Sequence, residues 1–220
     1  MKKLAIFTMV FCCGILAYFA LPKTVSIRVD AITAYMSLEE MVTKADLVAE
    51  VNVKSLSESE WNVDENGDQI DQIHTDVKVQ PLNIYFCDTD WIKNISDAEE
   101  IVVRTDIGRI GNTIQTSSSY PSLAENETAL LFLAEESDET GTYYIILGNN
   151  QGKFTKQESS GEHYYTNGRD QLPVEGIQET LHQIAMDNVD TKWASDYYTD
   201  EEIKAMNDAL FESGEEWVTT

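Results

Sequence analysis

Two unbroken apolar runs dominate the hydrophobic pattern of the chain, Ala129–Ala134 and Tyr143–Leu147. A polar stretch that contains Gly141 separates them, and this arrangement predicts a β-hairpin with a loop of several residues. Because the apolar residues are continuous rather than alternating with polar ones, we expect other elements to cover both faces of the hairpin. The hairpin is therefore predicted to lie at the centre of a small β-barrel or a strongly curled sheet.

Alternating patterns predict further strands around this hairpin. After Asp46, a half-exposed antiparallel strand is expected, because alternate apolar residues share one face: Leu47, Ala49, Val51 and Val53. Residues 73–79 alternate in the same way after a tight turn at Asn66-Gly67. Shorter strands are predicted at 101–104, around 113–116, at 153–155 and within 157–168. For the segments around 113–116 and within 157–168, a loop is the alternative.

The inward-facing positions change parity within the strand that begins near residue 73. Apolar residues occupy odd positions through Val79, whereas after Pro81 they occupy even positions at Leu82, Ile84 and Phe86. One extra residue near position 80 would produce this change, and a β-bulge supplies such a residue. Bulged, bent strands are typical of small closed barrels, so the change of parity supports a barrel.

Helical patterns flank the predicted strands. Ser37 and Glu40 form a capping box in front of an amphipathic stripe. From Pro173 onward the period changes to that of a second helix, and a capping box at Thr199 and Glu202 predicts a third. The elements together predict an α+β, mainly β, fold with one β-barrel domain at 35–172 and a helical extension at 173–220. A length of 220 residues allows such a domain its own core.

The N-terminus carries the features of an export signal. Lys2 and Lys3 precede residues 4–21, which contain no charged side chain. This segment is long for the apolar part of a signal peptide and just long enough to span a bilayer. Ala31 and Ala34 offer cleavage sites, so residues 1–34 are either a cleaved signal peptide or a membrane anchor with a linker. Either way, the lysines place the rest of the chain outside the cytoplasm.

The charge of the chain is lopsided, with 39 acidic against 15 basic residues and a formal net charge of −24. Such a chain repels the phosphates of nucleic acids and the head groups of anionic lipids, so a nucleic-acid partner is not expected. Solubility is the favoured role of this charge, and recruitment of divalent cations or of a basic partner is the alternative.

Cysteine usage indicates a bacterial surface protein. Cys12 and Cys13 lie in the apolar segment, which leaves Cys87 alone in the exported part and excludes an internal disulfide there. Secreted eukaryotic domains of this size usually carry disulfides.

Four oxygen-bearing residues near Gly67 resemble the start of a calcium-binding loop: Asp64, Asn66, Asp68 and Asp71. Such a loop requires glycine at its sixth position and glutamate at its twelfth. Counted from Asp64, those positions hold Gln69 and Thr75. A plain Asn-Gly turn is therefore the favoured interpretation, and no metal or other cofactor is predicted.

Cys87 would be a nucleophile if His74 or His163 lay beside it as a base. It follows Phe86 at the end of a predicted strand, where a core or loop thiol is the favoured interpretation. The sequence contains no nucleophile elbow, zinc-protease helix, phosphate-binding loop or C-x-x-C pair. No catalytic residue is therefore predicted.

Adjacent tyrosines occur at 143–144, 164–165 and 197–198. On a strand, one member of each pair faces inward and the other outward. Outward tyrosines can form a binding face, but half-buried positions over the ends of the barrel are the favoured interpretation.

Three stretches resemble a loose group of small exported proteins from low-GC Gram-positive bacteria: Ala45–Val48, Glu127–Leu133 and Tyr143–Phe154. The group has no settled function. Its barrel is similar in outline to the OB-type fold of tissue metalloproteinase inhibitors and netrin modules, so the resemblance implies a small OB-like curled β-barrel. Those modules carry disulfides and an N-terminal cysteine that this chain lacks, and inhibitory activity is therefore not implied.

These features lead us to expect a non-enzymatic binding or interaction domain of the bacterial cell surface. It is secreted, or anchored to the membrane by residues 4–21, and its partner is a protein or a component of the cell envelope. An envelope hydrolase that uses Cys87 or a pair of carboxylates is one alternative. A calcium-dependent surface module is the other.

Overall fold

The structure is a computed structural model that describes residues 24–29, 35–63, 67–87, 100–138 and 140–193, without the side chains of Asp71 and Cys87. The apolar residues 4–21 of the predicted export segment, the loop predicted after Cys87 and the helix predicted after Thr199 lie outside these ranges. No helix within them is long and apolar enough to cross a membrane.

Strands make up most of the described chain, together with two α-helices and a short 3-10 helix at Asn149–Gly152. In chain order the elements are β1 Val25–Val29, α1 Leu38–Lys44, β2 Leu47–Leu56, β3 Glu60–Val63, β4 Gln69–Cys87, β5 Ile101–Thr105, β6 Gly108–Ile110, β7 Thr113–Ser117, β8 Thr128–Asp138, β9 Gly141–Ile146, β10 Lys153–Ser159, β11 Glu162–Thr166, β12 Gln171–Pro173 and α2 Ile177–Asp187.

Most strands belong to one large sheet with the order β12-β11-β10-β8-β2-β4-β5-β9, and β3 is added to it through β4. Neighbouring strands are antiparallel except β5 and β9, which pair in parallel at Val103 and Tyr144. β9 also pairs with β8 in the predicted central hairpin. The sheet therefore curls until its last strand meets an inner one, and the predicted mainly β, curled fold is confirmed.

One apolar cluster fills the inside of the curl. Alternate residues of β2, β4, β5, β8 and β9 form it. The inward residues of β8 are Ala129, Leu131 and Leu133, and the predicted inward set of β2 is fully buried beside them. Burial of this much apolar surface is the main stabilising contribution to a fold of this kind.

A second apolar cluster lies on the opposite face of β2 and β8. There Leu130 and Phe132 of β8 pack under α1, α2 and β10–β12. The rings of Phe132 and Phe154 lie 5.2 Å apart between their centroids. Because successive residues of β8 enter two different clusters, its apolar run is continuous, and the prediction that both faces are covered is confirmed.

The outward face of β2 is covered where the sequence pattern predicts half exposure. Glu50 on that face is only 7% exposed. Its carboxylate accepts a hydrogen bond from Asn83 at 2.7 Å, and the hydroxyl of Tyr165 on β11 lies 3.2 Å from that of Tyr85. Burial and hydrogen bonds to Tyr85 and Glu50 raise the pKa of Tyr165 above its usual range. Polar partners make the burial of Glu50 tolerable, and hydrophobic periodicity does not detect such a residue.

The bulge predicted near position 80 is present in β4. The pairing of β4 with β2 steps from Asn83 to Pro81, which leaves Leu82 as the extra residue. Ile84 packs against the inner cluster as predicted, but Leu82 is 49% exposed and Phe86 packs on the outer cluster. The change of parity therefore locates the bulge correctly but assigns two of the three following side chains to the wrong surface.

The first described helix begins where the sequence predicts, whereas the second begins later than predicted. The Ser37 hydroxyl accepts a hydrogen bond from the backbone N–H of Glu40 at 3.1 Å, as the predicted capping box requires. Helix α2 begins at Ile177 after Gly176, whose φ is +74°. Pro173 ends β12 instead of opening the helix, since a proline is tolerated on a strand that has a neighbour on one side only.

Strands β1 and β3 are not predicted from the sequence. β1 pairs in parallel with β7 in a three-stranded sheet of order β1-β7-β6, although its residues lie in the segment assigned to export. β3 forms a hairpin with β4 inside a polar stretch. Val25 and Val63 are both more than half exposed, so neither strand offers the buried face on which a hydrophobic pattern depends.

Replacing Phe132 with alanine is expected to lower the free energy of unfolding by about 3–5 kcal/mol, because the ring is fully buried in the outer cluster. Leu82→Ala, at the exposed bulge, is the matched control and should change it by less than about 0.5 kcal/mol. Chemical denaturation followed by tryptophan fluorescence measures both. Similar losses for the two variants would contradict the two-sided core.

Candidate functional site

A groove of about 740 Å³ opens where β3, the first part of β4, the end of β5 and the β8–β9 hairpin meet. Three aromatic side chains line it: Trp61, Tyr120 and Tyr143. Polar and charged side chains from the same elements complete the lining, among them Glu60, Asn62, His74, Arg104, Asp106, Glu136 and Asp138. A concave surface that combines apolar area with a few polar groups is the usual form of a binding site.

Arg104 is the central cation of this groove. It lies opposite Asp76 in the β4–β5 pairing and donates to both carboxylate oxygens, at 2.7 and 3.0 Å. Its guanidinium also donates to Asp138 at the tip of the hairpin and to Thr140 at 3.3 Å. The ring centroid of Tyr143 is 3.9 Å from the guanidinium carbon, within cation–π range. Arg104 thus ties β4, β5 and the hairpin together.

Hydrogen bonds set the charge states of Arg104 and Asp138. The hydrogen bond to Asp76 raises the pKa of Arg104 above its usual range, although burial opposes this shift. Hydrogen bonds from Thr140 and from Arg104 lower the pKa of Asp138 to about 2. Both groups therefore stay charged at neutral and mildly acidic pH. The contact between them is lost only as the pH falls through about 2.

Gln115 of β7 connects the small sheet to β4 and to Asp106, which lines the groove. Its buried amide accepts from the backbone N–H of Ile73 at 2.8 Å and donates to the carbonyls of Ile73 and Asp106 at 3.0 and 2.7 Å. The hydroxyl of Tyr120 donates to the Asp106 carboxylate at 2.7 Å. Burial, followed by this hydrogen bond, raises the pKa of Tyr120, so its ring stays neutral. These bonds fix the position of Tyr120 in the groove.

The β3–β4 hairpin supplies the opposite wall. His74 Nδ1 contacts the side-chain oxygen of Asn62. An amide oxygen only accepts, so Nδ1 is assigned the proton. In contrast, the carboxylates of Glu60 and Glu136 make no hydrogen bond or ion pair with the part of the chain that the structure describes.

The calcium-loop residues are only partly described. Asp64 and Asn66 lie outside the described ranges, as does the side chain of Asp71, and Asp68 is exposed. Gly67 has a φ of +81°, which suits a turn. Over the described residues, no group of three or more His, Cys, Asp or Glu side chains could hold a metal ion.

Cys87 ends β4 opposite Leu47, and its thiol is not described. His74 lies toward the other end of the same strand, so β4 itself separates these two residues. His163 is exposed on β11 opposite Glu158. The described backbone thus gives no support to pairing Cys87 with His74.

The alternation predicted for the first tyrosine pair is confirmed, since Tyr144 is buried in the inner cluster and Tyr143 faces the groove. Sequence reasoning missed Trp61, Arg104 and Tyr120. The outward position of Arg104 beside Val103 is visible in the strand pattern, but its pairing with an acid depends on the register between β4 and β5, which no local signal encodes.

Arg104→Met is expected to lower the free energy of unfolding by about 1–3 kcal/mol, because Asp76 loses its partner in a partly buried setting. Arg104→Lys should fall between this variant and the parent, since lysine keeps the charge but not the paired donors. Lys78→Met removes an exposed cation from the neighbouring strand β4 and serves as the control, with an effect within about 0.5 kcal/mol. Thermal and chemical denaturation provide the measurement, and a Lys78 effect as large as that of Arg104 would refute the role of Arg104.

Comparisons with protein-family models, with curated proteins and with solved structures find no match to this chain. Its function is therefore inferred from the fold and from the groove.

Proposed function

We propose that the protein is a non-enzymatic binding domain of the bacterial cell surface, built on a small OB-like β-barrel. The groove lined by Trp61, Tyr120 and Tyr143 is its binding surface. The main support for this proposal is the position of the groove on a closed series of paired strands, β2, β4, β5, β9 and β8.

The pairing of five strands supports the barrel. Starting from β2, successive pairings lead through β4, β5, β9 and β8 and return to β2. A sheet that returns to its first strand in this way, with its interior filled by side chains, has the arrangement of a small barrel. The inner apolar cluster supplies that filling. The outline is similar to the OB-type fold that the resemblance implies.

The groove occupies a characteristic position on such a barrel. OB-folds bind ligands on the face of their second and third strands, between the loop joining strands one and two and the loop joining strands four and five. In the circuit that starts at β2, those strands are β4 and β5. β3 lies in the first loop, and the Asp138–Gly141 turn forms the second. This is an analogy at the level of the fold, and the lining residues give it chemical content.

The pairing of Arg104 and Tyr120 with acids of the same chain supports binding rather than catalysis by these two groups. Arg104 is held by Asp76 and Asp138, and the Tyr120 hydroxyl is held by Asp106. Catalytic groups are usually poised to exchange protons or attack a substrate. Groups that are fixed by partners of the same chain shape a surface instead.

The cell-surface location rests on the sequence. The lysines before residues 4–21 and the apolar character of that segment support export, followed by secretion or retention as a membrane anchor. The partner is a protein or a component of the cell envelope. Net charge makes nucleic acid an unsuitable partner.

Trp61→Ala is expected to reduce retention of the full chain on isolated Gram-positive cell envelopes by at least about tenfold, because a central aromatic residue commonly carries much of the binding energy. Tyr164→Ala, which removes a half-exposed aromatic ring from β11, is the matched control and should leave retention unchanged. Co-sedimentation of labelled protein with envelopes is the measurement.

Retention that is equal in the parent and the Trp61 variant would overturn the groove as the binding surface. Hydrolysis of envelope material that disappears in Cys87→Ala would support the hydrolase alternative instead.

A further inference from the structure

The groove has a surplus of negative charge. Four of its lining residues are acids, Glu60, Asp106, Glu136 and Asp138, against one arginine or lysine among the lining residues, Arg104. The charge of Arg104 is already neutralised by Asp76 and Asp138. Because Glu60 and Glu136 have no partner among the described side chains, their charge is available to a ligand. A cationic occupant is the one that this potential favours.

The rim of the groove is apolar as well as acidic. Val63 and Ile70 line it and are 61% and 37% exposed, and Trp61 lines it from the same strand as Val63. Lysine and arginine side chains pack their methylene stems on such surfaces while their charged ends reach carboxylates or aromatic faces. The groove thus matches both parts of a long basic side chain.

Arg104 illustrates this mode of binding within the chain itself. Its guanidinium lies over the ring of Tyr143 and between the carboxylates of Asp76 and Asp138. An aromatic face combined with two carboxylates is therefore an arrangement that this groove already uses to hold a guanidinium. Trp61, Glu60 and Glu136 add one more aromatic ring and two more carboxylates to the lining of the groove.

An open strand edge favours a polypeptide over a glycan. β3 pairs with β4 on one side, and no described strand pairs with its other side. An extended peptide can add to such an edge through main-chain hydrogen bonds, with alternate side chains entering a neighbouring pocket. Glycans depend instead on free polar side chains, and several of those in the groove are paired with each other: His74 with Asn62, and Tyr120 with Asp106.

We infer that the groove binds an extended, basic polypeptide segment of a partner protein, whose arginine and lysine side chains pack on the aromatic residues of the groove and reach the carboxylates of Glu60 and Glu136. This inference rests on the proposed function and specifies the ligand of the same surface.

The test uses the full chain and a fluorescein-labelled octapeptide of alternating arginine and valine, with fluorescence anisotropy as the readout. The double variant Glu60→Gln/Glu136→Gln is expected to weaken binding by about tenfold, because it removes two ionic contacts. Glu158→Gln/Glu162→Gln removes the same charge from exposed positions on β10 and β11 and should leave the Kd within about twofold. The single variant Trp61→Ala should weaken binding of the peptide by about tenfold or more relative to the parent.

Equal weakening by the two double variants would show attraction by net charge alone and would overturn the inference. Absence of peptide binding would also overturn it, as would tighter binding of a cell-wall oligosaccharide at the same groove. If envelope retention still depends on Trp61 in either of those cases, the proposed function stands and only the ligand class is wrong. If envelope retention does not depend on Trp61, the proposed function itself fails.

Discussion

The burial of strand β8 on both faces is the constraint on which the rest of the structure depends. Ala129, Leu131 and Leu133 point into the curl, whereas Leu130 and Phe132 point into the layer formed by the helices and β10–β12. One strand therefore belongs to two apolar cores. The inner core holds the sheet in its curled form, and the outer core attaches the two described helices and β10–β12 to it.

The same alternation that builds the inner core also builds the groove. Val77, Val103 and Tyr144 are buried inside the curl, and the residues next to them, Asp76, Arg104 and Tyr143, must then face outward. Pairing of β4 with β5 places Asp76 opposite Arg104, and the hairpin brings further partners to the guanidinium. The groove is thus a direct consequence of packing on the other side of the same strands.

Much of the fold follows from local signals, whereas the site does not. The hairpin, the bulge near Pro81 and the cap at Ser37 each leave a pattern within a few residues, and each is present. β3 leaves no such pattern, because it has no buried apolar face. The burial of Glu50 leaves none either, because a hydrogen bond stabilises this residue. The groove combines β3 with outward residues of four other segments, and their proximity depends on strand register, which a single sequence does not reveal.

Hydrogen–deuterium exchange of the full chain, with and without isolated cell envelopes, tests the groove most directly as the functional surface. If the groove is the functional surface, envelopes slow exchange at β3 and at the turn between β8 and β9, where backbone amides border the groove. This expectation includes no change at β10–β12, which extend the sheet beyond β8, away from β4 and β5. Protection confined to β10–β12, with β3 and the turn unaffected, would contradict it.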